Sequence, residues 1–121
     1  MGRLTTHVLD TARGRPGAGI AVRVLGIDGD RRRPLAETVT DADGRCAAPL
    51  LEGADFAAGV YELEFGVGDY QRSLAEDSGD AAEAIPFLDR VTLRFGVADA
   101  DEHYHVPLLL SPYGYTTYRG S

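Results

Sequence analysis

Three histidines and one arginine carry the chemistry open to this sequence: His7 inside the strand-like LTTHVLD, Arg45 directly after the turn Asp41 to Gly44, and the pair His103-x-His105. Imidazole can take a proton near neutral pH, and a guanidinium offers a rigid fork of donors to a carbonyl or a developing oxyanion. The combination suits a substrate with amide-like oxygens. Each residue also has a plainer role. A lone strand histidine is more often partly buried and satisfied by a backbone carbonyl, and an arginine chosen at random sits on the surface. His103 and His105 lie two apart, so a regular strand projects both to one face, as a metal or a shared polar surface would require. A zinc site would need His7 and a carboxylate such as Asp101 or Glu102 as well, and the sequence offers neither cysteine pairs nor a helical His-Glu-x-x-His. His103, close to Asp99, Asp101 and Glu102, reads as a solvated residue at the start of its strand. Cys46 reads as a small core residue facing away from Arg45.

The run HYHVPLLLSPYGYTTYRGS closes the sequence on Tyr118-Arg119-Gly120-Ser121. Chain ends usually fray. This tetrapeptide reads as composed, which predicts that it is used. Tyr113, Tyr115 and Tyr118 suit packing and binding equally. Pro107 and Pro112 lack an N–H, which predicts an edge or bulge near Pro107 in the strand His103 to Leu110, and a strand that faces another subunit.

Period-two alternation supplies the elements that must position these groups: Ile20, Val22 and Val24; Tyr61, Leu63, Phe65 and Val67; Val91, Leu93, Phe95 and Val97. Turns are predicted over 14–19, 28–30, 41–44 and 66–69, a spacing that suits hairpins in a β-sandwich. Tyr70 to Ala84, with Leu74, Ala75, Ala81 and Ala82 among acids, suits a short helix or an ordered loop that Ser78-Gly79-Asp80 interrupts. Pro86 marks a return to strand at Phe87 or shortly after.

With 121 residues, 44% apolar and 26% charged, residues 1–121 are expected to form one globular domain. A core this small leaves little room for a deep pocket, which favours a site between subunits. A net charge of −7 opposes binding to nucleic acid or an anionic membrane. All 12 basic residues are arginine, which excludes Schiff-base and P-loop lysine chemistry. One cysteine allows no intrachain disulfide, so a reducing cytoplasm is expected. Without a signal-like or membrane-length apolar run, the chain is expected to be soluble and unprocessed.

Three stretches resemble the 5-hydroxyisourate hydrolases, the enzymatic relatives of transthyretin: LTTHVLDTARGRPGAGIAVRV, TDADGRC and HYHVPLLLSPYGYTTYRGS. The resemblance covers essentially the whole chain. These hydrolases end in Tyr-Arg-Gly-Ser or a close variant, whereas transthyretins differ in the tail and at the positions of His7, Arg45 and His105. The resemblance implies an all-β, transthyretin-like β-sandwich of seven to eight strands with one short helix, assembled as a homotetramer, a dimer of dimers with sites in the channel between dimers. It implies hydrolytic opening of a cyclic amide in 5-hydroxyisourate, giving 2-oxo-4-hydroxy-4-carboxy-5-ureidoimidazoline in urate and purine catabolism, without metal or organic cofactor. It assigns His7, Arg45, His105 and Ser121 to the catalytic site. His7, Arg45 and Ser121 would also bind substrate, with Tyr118, Arg119 and Gly120 holding the tail there. A transthyretin-like carrier of a small aromatic ligand is the alternative, and a metal-dependent amidohydrolase using His103, His105 and His7 is a third reading.

Overall fold

The computed structural model describes residues 1–79 and 85–120. Its strands are β1 (Arg3–Asp10), β2 (Arg15–Pro16), β3 (Ala21–Asp28), β4 (Arg31–Val39), β5 (Leu51–Glu52), β6 (Gly59–Phe65), β7 (Val91–Val97), β8 (His103–Ser111) and β9 (Gly114–Thr117). Leaving out the two-residue β2 and β5, seven longer strands form the sandwich, together with one α-helix, α1 (Val67–Asp77), among the described residues.

One sheet runs β2-β1-β8-β9, with β5 also paired to β1, and the other runs β4-β3-β6-β7. Alternation decides which side chains meet between them. Val24, Leu63 and Leu93 lie side by side across β3, β6 and β7, as do Val22, Phe65 and Val91. Leu4, Val8, Leu108 and Leu110 join them in the core from β1 and β8, and each is fully buried. Burying a side chain of this size contributes about 1.5–3 kcal/mol. Thr5 and His7 on β1 and His105 on β8 alternate with buried residues and face outward.

Two local expectations change. Residues 66–69 do not form a turn between strands, because Gly66 is the N-cap of α1 and Val67 opens the helix. Val67 still fills the core, at 0% exposure. The helix stops at Asp77, Ser78 is its C-cap, and the remainder of the expected segment from Asp80 to Ala84 lies outside the described residues. Strand structure resumes at Val91, four residues beyond Phe87.

The Pro107 expectation takes a specific form. β8 is an interior strand, paired in parallel with β1 along its length and antiparallel to β9 from Leu108 to Ser111. The β9 ladder stops at Leu108↔Thr117 and resumes in the same register as a single bridge, His105↔Gly120. Pro107 sits in that gap and has no N–H to donate. Its carbonyl accepts a bond from Thr117 Oγ1 at 2.8 Å.

Candidate active site

β1 and β8 run parallel with Thr5 opposite His105 and Arg3 opposite His103. Because strand side chains alternate, Arg3, Thr5 and His7 share the outer face of β1, and His103 and His105 share that of β8. Thr5 Oγ1 bridges the two imidazoles, 2.7 Å from His103 Nε2 and 2.8 Å from His105 Nδ1. His103, His105, Thr5 and Arg45 line one open cavity of about 390 Å³ with Arg3 and Cys46.

The turn before Arg45 is built by Asp41. Its Oδ1 accepts from the backbone N–H of Asp43 at 2.9 Å and of Arg45 at 3.1 Å. Gly44 closes the turn at φ 76°, where L side chains are disfavoured, and a Cβ there would collide with the Val8 carbonyl. That close approach lets the Val8 N–H donate to Gly44 O at 2.8 Å and pairs His7 with Arg45. His7 Nε2–H donates to Asp43 O at 2.9 Å, so His7 has the backbone partner that its plain reading foresaw while lying next to Arg45.

The tail approaches from the other side of β8. Gly120 N–H donates to His105 O at 2.7 Å. A Cβ on Gly120 would come 2.7 Å from His105 Cδ2, so only glycine fits this contact without moving the ring. Arg119 turns elsewhere: its guanidinium pairs with Glu102 at 2.6 Å and lies 4.0 Å over the Tyr104 ring. Tyr118 is exposed and borders a second groove shared with Arg119, not the histidine cavity. Ser121 lies outside the described residues.

Electrostatics favour neutral imidazoles. His105 is half-buried, and its pKa is lowered from 6.5, first by lost hydration and then by Arg45, His103 and His7. His103 is lowered by partial desolvation and by the Arg3 cation. Burial, followed by the Asp41 charge, raises the Cys46 thiol, which packs against the core, and so disfavours its thiolate form.

The structure thus brings His105 and Arg45 together with His7 beside them, seats Gly120 on His105, and uses Arg119 to fasten the tail. Sequence reading did not single out Thr5, Arg3 or Asp41. The alternation of LTTHVLD places Thr5 on the His7 face and was the available signal. His103 is exposed, as expected, yet bonded into the site through Thr5. Among the described residues no three His, Cys, Asp or Glu side chains converge as a metal site would require. Tyr113, Tyr115 and Tyr118 are 70%, 44% and 55% exposed, so none is a core packing residue of this chain.

A family model described as HIUase/Transthyretin family matches residues 4–120. A 5-hydroxyisourate hydrolase of Ralstonia nicotianae is 59% identical over 121 residues, covering all of both chains. Among solved structures, the 5-hydroxyisourate hydrolase of Klebsiella pneumoniae is 32% identical with a TM-score of 0.77, covering all of both chains. Sea bream transthyretin, solved in complex with thyroxine, is 31% identical with a TM-score of 0.82, over 98% of this chain and 94% of its own. Matched by the family model from Leu4 to Gly120 and by a full-length relative, the chain belongs to the HIUase/Transthyretin family.

Proposed function

We propose that this chain hydrolyses 5-hydroxyisourate by opening its cyclic amide, in purine catabolism. Relatives from several bacteria, 50–59% identical over 118 to 121 residues, bear the name of that hydrolase. The sandwich alone does not separate enzyme from carrier, since transthyretin overlaps it as closely as the hydrolase does. The observation that carries the enzymatic reading is His105, half-buried and lowered in pKa, in one cavity with Arg45.

In this reading His105 Nε2 takes a proton as water attacks the ring carbonyl, and Arg45 stabilises the oxyanion. Collapse breaks the carbon–nitrogen bond, the proton passes from the histidine to the leaving nitrogen, and the carbonyl carbon becomes a carboxylate. General-base help is typically worth ~10²–10⁴-fold, and one oxyanion donor ~2.7–4 kcal/mol. His7, held on Asp43 O, adds to the electrostatic setting of His105, and Ser121 fixes substrate or water. The cavity opens on a sheet face that also carries the partly exposed Leu9 and Leu109 side by side, which suits its closure by a second copy in a dimer of dimers.

The test is a direct absorbance assay with freshly generated 5-hydroxyisourate, with native mass measured in parallel. Wild-type protein should accelerate decay of the substrate, and His7→Asn and His105→Asn should each lower turnover severely while keeping the fold. Ligand retention without turnover would favour the carrier. Activity lost to a chelator and restored by zinc would favour the metal mechanism.

A further inference from the structure

We propose that Thr5 is a positioning residue: its hydroxyl fixes the tautomer of His105 so that Nε2 stays unprotonated, with His103 as the final acceptor of the chain. The proposal rests on the reading of His105 as the base. A hydroxyl has one hydrogen to donate and two lone pairs, so at least one imidazole must donate an N–H to Thr5 Oγ1, and when the Thr5 O–H itself lies between the rings the other imidazole must offer a lone pair. Two arrangements of neutral rings meet that demand. In one, His105 Nδ1–H donates to Thr5 and the Thr5 O–H donates to His103 Nε2. In the other, both bonds reverse, and His105 carries its proton on Nε2.

Only the first leaves His105 Nε2 able to accept a proton from water. It needs no rearrangement on doing so, because Nδ1–H keeps its acceptor when the ring becomes an imidazolium. Lost hydration, with Arg3 beside His103 and with Arg45 and His7 beside His105, holds both rings toward the neutral forms that this arrangement requires. Glu102, the nearby carboxylate, is engaged by Arg119. The ring is also held at its opposite edge, where Gly120 abuts Cδ2. Thr5 at Nδ1 and Gly120 at Cδ2 therefore fix the plane of His105.

The experiment reads tautomer and rate separately. Nitrogen-15 NMR of the histidine rings should show His105 protonated at Nδ1 and bare at Nε2 in the wild type. Thr5→Val, which keeps the shape and removes the hydroxyl, should give a mixture of tautomers and lower kcat roughly 10- to 100-fold, a share of what general bases supply. KM should change little, and the acid limb of the pH–rate profile should move to lower pH, because the imidazolium loses its Nδ1–H acceptor. Thr5→Ser should restore both. A wild-type ring bare at Nδ1 overturns the proposal whether or not Thr5→Val folds, and so does a Thr5→Val enzyme with unchanged tautomer and kcat. Full activity in His105→Asn would instead overturn the base assignment, leaving the NMR result to stand by itself.

Discussion

Gly120 lies against the imidazole of His105 so closely that a single added methyl would fall 2.7 Å from Cδ2, while its N–H donates to the same residue's carbonyl at 2.7 Å. Gly120→Ala should therefore retain the backbone bond and displace the ring. Misplacement of a catalytic group by about 1 Å can cost ~10²-fold in rate, so kcat should fall on that order with little change in thermal transition. Equal kcat in Gly120→Ala, measured beside its melting curve, would mean that ring placement does not limit the reaction.

The contact between His105 and Thr5 was illegible in the sequence for a physical reason. His105 meets Thr5 across 100 residues, through a parallel β1–β8 pairing whose register no local pattern encodes. Strands with one apolar face, such as β6 and β7, announced themselves by alternation. β4 did not, because it is an edge strand with mostly exposed side chains, three consecutive arginines and Pro34 beside a bulge. The residues of the candidate site were legible by type in His7, Arg45 and His105. The groups that position them, Thr5 and Asp41, are ordinary residues until partners are known.

The lowered pKa of His105 sets the direction of the pH response. A base with a depressed pKa stays neutral further into acid, so kcat/KM should hold as pH falls from neutral to 6.5 and decline only below it. A pH–rate profile recorded at constant ionic strength checks this, and an acid limb above 6.5 would contradict the environment described for His105.

Arg45 is placed by the Asp41 turn and bordered by His7, so Arg45→Lys keeps a cation in place and loses the planar donor fork. Steady-state kinetics should show the loss mainly in kcat, by the ~2.7–4 kcal/mol typical of an oxyanion donor at most. A change confined to KM would reassign Arg45 to binding substrate and transition state alike.

Stability away from the site rests in part on Asp10, 1% exposed and bonded by Tyr70 Oη–H at 2.6 Å and by Arg13 at 2.9 Å. Burial alone would raise its pKa, but the Tyr70 and Arg13 bonds outweigh burial and hold it below 3.8, while Tyr70 is pushed up to about 12, first by burial and then by Asp10. Tyr70→Phe should destabilise the fold by about 1–3 kcal/mol, read by denaturant melts, because a buried carboxylate loses a donor. The depressed carboxylate stabilises the fold above its unfolded pKa, and that contribution is lost as pH falls through the folded value. In Tyr70→Phe the loss should begin at higher pH, with turnover per folded molecule unchanged.

Deleting residues 118–121 separates hydrolase from carrier more cleanly than any point substitution. The segment's described residues, 118–120, give the fold little: one bridge to His105, the Arg119 bonds to Glu102 and to the His103 carbonyl, and the guanidinium over Tyr104. Exposed ion pairs and cation–π contacts of this kind contribute little to stability. What it gives the site is the edge that holds the His105 ring. The truncated protein should therefore keep its native mass, melt within a few degrees of the full chain, and turn over 5-hydroxyisourate far more slowly. Arg119→Ala should fall between the two, because it loosens the tail without removing Gly120. Turnover, melting and native mass measured on all three proteins decide the matter, and full activity in the truncated chain would detach the tail from catalysis and leave the enzymatic reading to His7, Arg45 and His105 alone.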